Sequence, residues 1–174
     1  MRVMQTDISR IRGMSVQNVM SREVVTIDAE MRLRSAWISL MENNISGAPV
    51  VDEEGLLIGI VSIKDIHEAI FENFNKAKAL QKGNMQPDDG DESGCNETKE
   101  LTMALNALFD SRVSDILPAS QYVERLGPLD SLERAIKLMA DKSVNRLPVV
   151  KEDRVVGIIT RQDVIMVLSG RSRR

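Results

Sequence analysis

Two short segments hold residue types with which a protein can grip a polar ligand. One reads Gly59-Ile60-Val61-Ser62-Ile63-Lys64-Asp65; the other reads Gly157-Ile158-Ile159-Thr160-Arg161-Gln162-Asp163. In each, a hydroxyl residue closes an apolar β run and an Asp follows three residues later, where a helix opens. Backbone N–H groups and the positive end of the helix dipole face outward at such a junction. The carboxylate has two uses there. It can cap the first helical turn, or it can accept hydrogen bonds from a bound ligand, each charge-assisted bond being worth about 1.5–3 kcal/mol. Other chemistry has few candidates. The chain has one histidine, His67, and one cysteine, Cys95. His67 reads as a helix-surface residue and Cys95 as a surface thiol. One cysteine permits neither an internal disulfide nor a multi-cysteine zinc site. A Ser–His–Asp triad would rest on that single imidazole. No catalytic or metal-ligating residue is assigned, and the chain is not expected to be an enzyme.

The elements that position these segments occur twice. Ile45-Ser46-Gly47-Ala48-Pro49-Val50-Val51 aligns with Val144-Asn145-Arg146-Leu147-Pro148-Val149-Val150 at an offset of 99. The two Gly-to-Asp segments align at 98, because the turn before them is one residue shorter in the second copy. Leu33 and Ala36 match Leu132 and Ala135; Val16, Val19 and Met20 match Val113, Ile116 and Leu117. Collinear blocks with such small drift mark an internal repeat. Leu33, Ala36, Trp37, Leu40 and Met41 fall at helical spacing, as do Leu132, Ala135, Ile136 and Met139. Each set predicts one amphipathic helix, with Trp37 in the core. Asp130-Ser131-Leu132-Glu133 reads as a capping box. Two β runs and a closing helix follow in each copy. The unit is β-α-β-β-α, about 55 residues, too small to bury both faces of its sheet alone. The fold class is therefore α+β: two related repeats packed sheet to sheet. Between them, Ile66, Ile70, Phe74 and Ala77 continue a helix, residues 82–97 read as an acidic, exposed and flexible loop, and Leu101, Ala104, Leu105 and Leu108 mark another helix. The expected boundaries are 1–71 for the first repeat, 72–112 for the linker and 113–174 for the second repeat.

Composition narrows the function. Among 174 residues, 23 Lys and Arg against 26 Asp and Glu leave a net charge of −3, which is not the balance of a general nucleic-acid binder. Aromatic residues make up 3%, too few for a base-stacking platform. The basic ends, Arg2, Arg10 and Arg12 at one and Arg171, Arg173 and Arg174 at the other, read as solvated termini. The longest apolar run, residues 56–61, is far below the ~18–20 residues that span a bilayer, and no secretory h-region opens the chain. A cytoplasmic location is expected.

The apolar-Pro-Val-Val strand, the Gly-apolar-apolar-Ser/Thr-x-x-Asp segment and the Leu-x-x-Ala helix before them together resemble the cystathionine-β-synthase (CBS) domain family. The resemblance covers about 110 residues, in the tandem arrangement of a CBS pair. It implies pseudo-twofold repeats with clefts at their junction that bind adenosine-containing ligands: AMP, ADP, ATP or S-adenosylmethionine. Asp65 and Asp163 would accept hydrogen bonds from the ribose 2′,3′-diol, and Ser62 and Thr160 would meet ribose or α-phosphate. Ile60 and Ile158 would flank the adenine, while Lys64 and Gln162 would lie near ribose or phosphate. Thr26 would meet the adenine side, where its counterpart Arg125 departs from the pattern. Ser46, Gly47 and Ala48 in the first copy correspond to Asn145, Arg146 and Leu147 in the second. Arg146, joined by Lys64 or Arg161, would favour phosphate in one cleft and leave the other less basic; solvated surface charge is the other reading of Arg146 and Arg161. The resemblance implies a stand-alone regulatory protein that signals energy or metabolite state to a partner and assembles as a homodimer. The alternative is a ligand-free dimerisation module.

Overall fold

The computed structural model describes residues 11–83, 93–118 and 123–170. The chain divides into two compact units. The described residues of one fall within 27–50 and 59–121, around the first repeat; those of the other fall within 1–26, 51–58 and 122–174, around the second. Among the described residues, the elements of the first repeat are β1 (Ile27–Asp28), α1 (Leu33–Glu42), β2 (Gly47–Val51), β3 (Leu57–Ser62) and α2 (Ile63–Gly83). Then come α3 (Ser93–Asp110) and α4 (Val113–Ile116), followed in the second repeat by α5 (Leu132–Asp141), β4 (Arg146–Lys151), β5 (Arg154–Thr160) and α6 (Arg161–Leu168).

The unit of the first repeat carries a three-stranded sheet in the order β1-β2-β3. Its core gathers Ile27, Leu33, Ala36, Leu40, Val50, Val61, Ile66 and Val113, with Trp37 half-buried against them. Each fully buried Ile, Leu or Val side chain contributes about 1.5–3 kcal/mol by leaving water. Met41, on the edge of the predicted stripe, is 52% exposed and lies outside this core. The unit of the second repeat has the antiparallel pair β4-β5 and a core of Val16, Leu126, Leu132, Ala135, Met139, Leu147, Val149 and Ile159.

Several local expectations need correction. The first strand of the second repeat shrinks to one residue, Leu126, which bridges Val149 in parallel. Pro128 stands two residues on, with no N–H to continue a ladder. The box expected at the start of α5 is half made: Ser131 Oγ accepts from Arg134 N at 3.2 Å, but the residue at the reciprocal position is Arg134 rather than Glu, and its guanidinium binds Asp130 instead. Of the stretch 82–97, residues 82–83 end α2 and residues 93–97 open α3, which puts Cys95 on a helix; residues 84–92 lie outside the described residues.

The leading turns of the repeats sit with a different partner from the one their sequence order suggests. Val16, at the start of a 3-10 turn, is fully buried in the unit of the second repeat: its N–H donates to Asp130 O at 2.8 Å, and Leu132 N donates to Met14 O at 2.9 Å. Val113, on α4, is fully buried in the unit of the first repeat, where its N–H donates to Met31 O and Ser114 N to Ala29 O, both at 2.9 Å. Each unit is thus closed by the segment that precedes the other copy.

The segment from Gly157 to Asp163 is tightly covered at its glycine. A Cβ built on Gly157 would run into Met20 Sδ and lie 3.0 Å from its Cγ. Overpacking a core typically costs about 1–3 kcal/mol, and methionine, with three rotatable bonds, yields more easily than most neighbours. Gly157→Ala should therefore destabilise the chain by about 1 kcal/mol in denaturant titration. Met20→Ala in the same chain should recover part of the loss.

Candidate functional site

Both junctions form as strand-to-helix turns, and the Asp in each holds its own hydroxyl partner. At the end of β3, Ser62 N and Ser62 Oγ both donate to Asp65 Oδ2, at 2.8 and 2.6 Å. Asp65 N in turn reaches Ser62 Oγ at 3.4 Å. At the end of β5, Thr160 N and Thr160 Oγ1 donate to Asp163 Oδ2 at 2.8 and 2.7 Å, and Asp163 N donates to Thr160 Oγ1 at 3.3 Å. Both residues of each pair thereby satisfy amides that a helix start leaves without partners. The two sites differ in access. Asp65 is half-buried, whereas Asp163 is 3% exposed, the one buried charged residue among those described. At Asp65 both bonds that the carboxylate accepts here end on Oδ2.

The approach to each junction is fixed by the preceding helix. α1 ends with Asn44 in the left-handed region, φ 52°, and Ile45 N donates to Leu40 O at 3.0 Å. α5 ends with Ser143 at φ 54°. These are left-handed helix ends, and they turn the chain into β2 and β4. Ser46 O then accepts from Ile63 N at 3.1 Å, and Asn145 O from Arg161 N at 3.0 Å. The residue just before each strand, Ser46 or Asn145, is thereby tied to the residue just past the hydroxyl.

The structure sorts the sequence-predicted residues into two sets. In the unit of the first repeat stand Ser46, Gly47, Ala48, Ile60, Ser62, Lys64 and Asp65. Gly47 and Ala48 are buried, Ile60 is half-buried, and Lys64 is exposed, its ammonium 3.3 Å from Glu68. In the unit of the second repeat stand Asn145, Arg146, Leu147, Ile158, Thr160, Arg161, Gln162 and Asp163. There Arg146 faces Thr160 across the β4-β5 ladder, and Leu147 faces Ile159. Ile158 is half-buried and exchanges backbone hydrogen bonds with Ser21. Thr26 belongs to this same unit and is exposed. Sequence order had grouped it with the first copy. Its counterpart Arg125 forms an ion pair with Asp153 at 2.6 Å.

Arg161 has a different occupation from the phosphate contact its charge suggests. Its Nε donates to Val144 O at 3.1 Å and one Nη to Met139 O at 3.2 Å. It clamps the end of α5 to the start of β4. His67 is exposed on α2, and among the described residues no group of three or more His, Cys, Asp or Glu side chains could hold a metal ion.

Residues that the sequence reading did not single out surround Asp65. A cavity of about 470 Å³ is lined by Asp65, Glu68, Glu72 and Lys76 of α2, together with residues of α3 and α4 that include Asp115 and Ile116. Its size falls within the range of small-molecule sites, about 300–1,000 Å³. The spacing of 65, 68, 72 and 76 was a signal available in the sequence, since it puts all four on one helical face.

Loss of a cap typically costs about 0.5–2 kcal/mol. Asp163→Ala should lie at the upper end of that range in chemical denaturation, and Asp65→Ala, with its more exposed cap, lower. A Thr160→Ala, Asp163→Ala double-mutant cycle should show coupling of at least about 0.5 kcal/mol.

A sequence model of the CBS domain matches residues 16–72 and 113–170. Over 156 residues the chain is 26% identical to the uncharacterized protein MJ1426 of Methanocaldococcus jannaschii, covering 89% of this chain and 91% of that protein. It spans less than half the length of two further M. jannaschii proteins, MJ1232 and MJ1225. Among solved structures it resembles CBSX2 in complex with AMP, with a TM-score of 0.61, 22% identity, and 88% of this chain and 94% of that chain covered. It likewise resembles the CBS domain pair of MJ0100 in complex with 5′-methylthioadenosine and S-adenosyl-L-methionine, with a TM-score of 0.61, 21% identity, and coverage of 90% and 97%. No helix among the described residues is long and apolar enough to cross a membrane. With two matched repeats that together span most of its length, the chain belongs to the CBS domain family.

Proposed function

We propose that this chain is a regulatory CBS-pair protein that binds adenosine-containing ligands of the AMP, ADP, ATP or S-adenosylmethionine class and reports their level to a partner protein, acting as a cytoplasmic homodimer without catalysis of its own. The observation that carries the reading is the same hydroxyl-x-x-Asp junction in both repeats, each carboxylate fixed before a ligand arrives. A carboxylate already ordered loses little entropy on binding a diol. The adenosyl ligands held by CBSX2 and MJ0100, proteins of the same fold, support the ligand class. In this reading Ile60 and Ile158 offer half-buried apolar edges to the base, and Arg146 beside Thr160 offers positive charge to a phosphate. Signalling requires that the ligand bind two conformations of the chain unequally; equal binding shifts no population.

A second reading has its own observation. The hydroxyl–Asp pairs do structural work as caps, so the repeats can stand without a ligand and serve only to bring two chains together. An unchanged melting temperature with every nucleotide, beside a dimer by light scattering, is the result that favours this reading.

Calorimetry with AMP, ADP, ATP and S-adenosylmethionine decides between the two. The first reading expects binding in the micromolar to millimolar range. It also expects Asp163→Ala to weaken the ligand at its own junction by about 2–3 kcal/mol, or roughly 30- to 150-fold. Absence of heat from all four compounds across that range overturns it.

A further inference from the structure

We propose that Arg161 is a latch found in the second repeat and not in the first. Its guanidinium holds shut the turn between α5 and β4, and that turn opens locally when the latch is released. The proposal does not depend on any ligand.

The turn of the second repeat is the less suited of the two to hold its shape unaided. Its left-handed residue is Ser143, φ 54°, where the first repeat has Asn44, φ 52°. Positive φ is disfavoured for residues with a side chain, and asparagine tolerates it better than serine. The first turn also closes itself. Ile45 N donates to Leu40 O at 3.0 Å, and Asn43 Nδ2 donates to Ser39 O at 2.8 Å. In the second repeat the residue matching Asn43 is Lys142, whose ammonium pairs with Glu124 at 3.0 Å. The carbonyl matching Leu40 O is Met139 O, and it accepts from an Nη of Arg161 at 3.2 Å. Arg161 Nε donates to Val144 O at 3.1 Å. One planar fork of donors thus spans the turn, from the last turn of α5 to the residue just past Ser143.

α2 starts differently. Ile63 stands at the position of Arg161, half-buried against the apolar core of its own unit, and its side chain has no donor to offer. Both repeats share the backbone bond from helix start to turn, Ile63 N to Ser46 O and Arg161 N to Asn145 O. They differ in the side-chain clamp. Arg161 is exposed, so its guanidinium can leave the two carbonyls without unpacking the core. Release frees residues 142–146. These include Arg146, which pairs in register with Thr160, so the latch sets how firmly that register is held.

Hydrogen exchange of the full chain, read by mass spectrometry, tests the latch, because exchange from a locally opening segment follows its open population. Arg161→Met should speed exchange of the amides at 142–147 by about tenfold, the loss expected for a bond from a charged donor. Amides at 43–48 and those of β5 should stay within about twofold of the parent chain, since local opening leaves other segments closed. Ser143→Asn should slow exchange at 142–147 by about threefold in the parent chain and cancel most of the effect of Arg161→Met, because a turn at ease in the left-handed region needs the latch less. Unchanged exchange at 142–147 in Arg161→Met overturns the proposal. So does a rise of equal size across α5, β5 and α6, which would make Arg161 a general contributor to the fold. Should that variant fail to fold, Ser143→Asn alone decides: slower exchange at 142–147 supports the latch, and unchanged exchange overturns it.

Discussion

The structure of each half turns on one contact, in which an Asp carboxylate in the first turn of a helix accepts the N–H and the hydroxyl of the residue that ends the preceding strand. A strand and a helix that meet directly leave amides without partners. In this chain Asp65 and Asp163 supply the acceptor, and the hydroxyls of Ser62 and Thr160 complete the exchange. The contact fixes the direction in which α2 and α6 leave their strands. That direction brings Ile66 and Val164 into the two cores. The carboxylate that a ligand would meet is therefore part of the frame, held in place by the same bonds that start the helix.

Capping and ligand binding are for this reason compatible uses of one side chain. At Asp65 the cap runs through Oδ2, and the residue lines a cavity. A carboxylate has room for more than two hydrogen bonds, so a diol can be added without dismantling the cap. The burial of Asp163 raises what is at stake at the second junction, because a buried carboxylate that loses its partners carries a large desolvation penalty. The first junction trades some of that rigidity for access.

Much of this was legible in the sequence because it depends on local spacing. The repeat offset predicted two copies of one unit, and the stripes Leu33-Ala36-Leu40 and Leu132-Ala135-Met139 predicted the faces that are buried. The Ser/Thr-x-x-Asp spacing predicted both the junction and its two possible roles. What was not legible depends on partners distant in the chain. Val16 and Val113 each look like the start of their own repeat, yet each packs in the unit of the other; nothing in a run of apolar residues says which core it will fill. Arg161 reads in the sequence as a phosphate contact or as surface charge, and neither reading foresees its bonds to the carbonyls of Val144 and Met139. The extents of α2 and α3 were hidden by Gly and acidic residues whose loop propensity is a weak prior.

Duplication explains why the chain carries two such junctions, and divergence explains why they need not do the same thing. A cap demands only a hydroxyl and a carboxylate three residues apart, so that part of each copy is held by folding itself. The side chains around it are under no such demand. Gly47 against Arg146, and the carboxylates of α2 and α4 around Asp65, can change without loss of the helix start. The second repeat has Arg146 in register with Thr160 where the first has Gly47, and the first lines the groove beside Asp65 with further carboxylates. The folding constraint fixes the hydroxyl and the carboxylate of each junction and leaves their neighbours free to diverge.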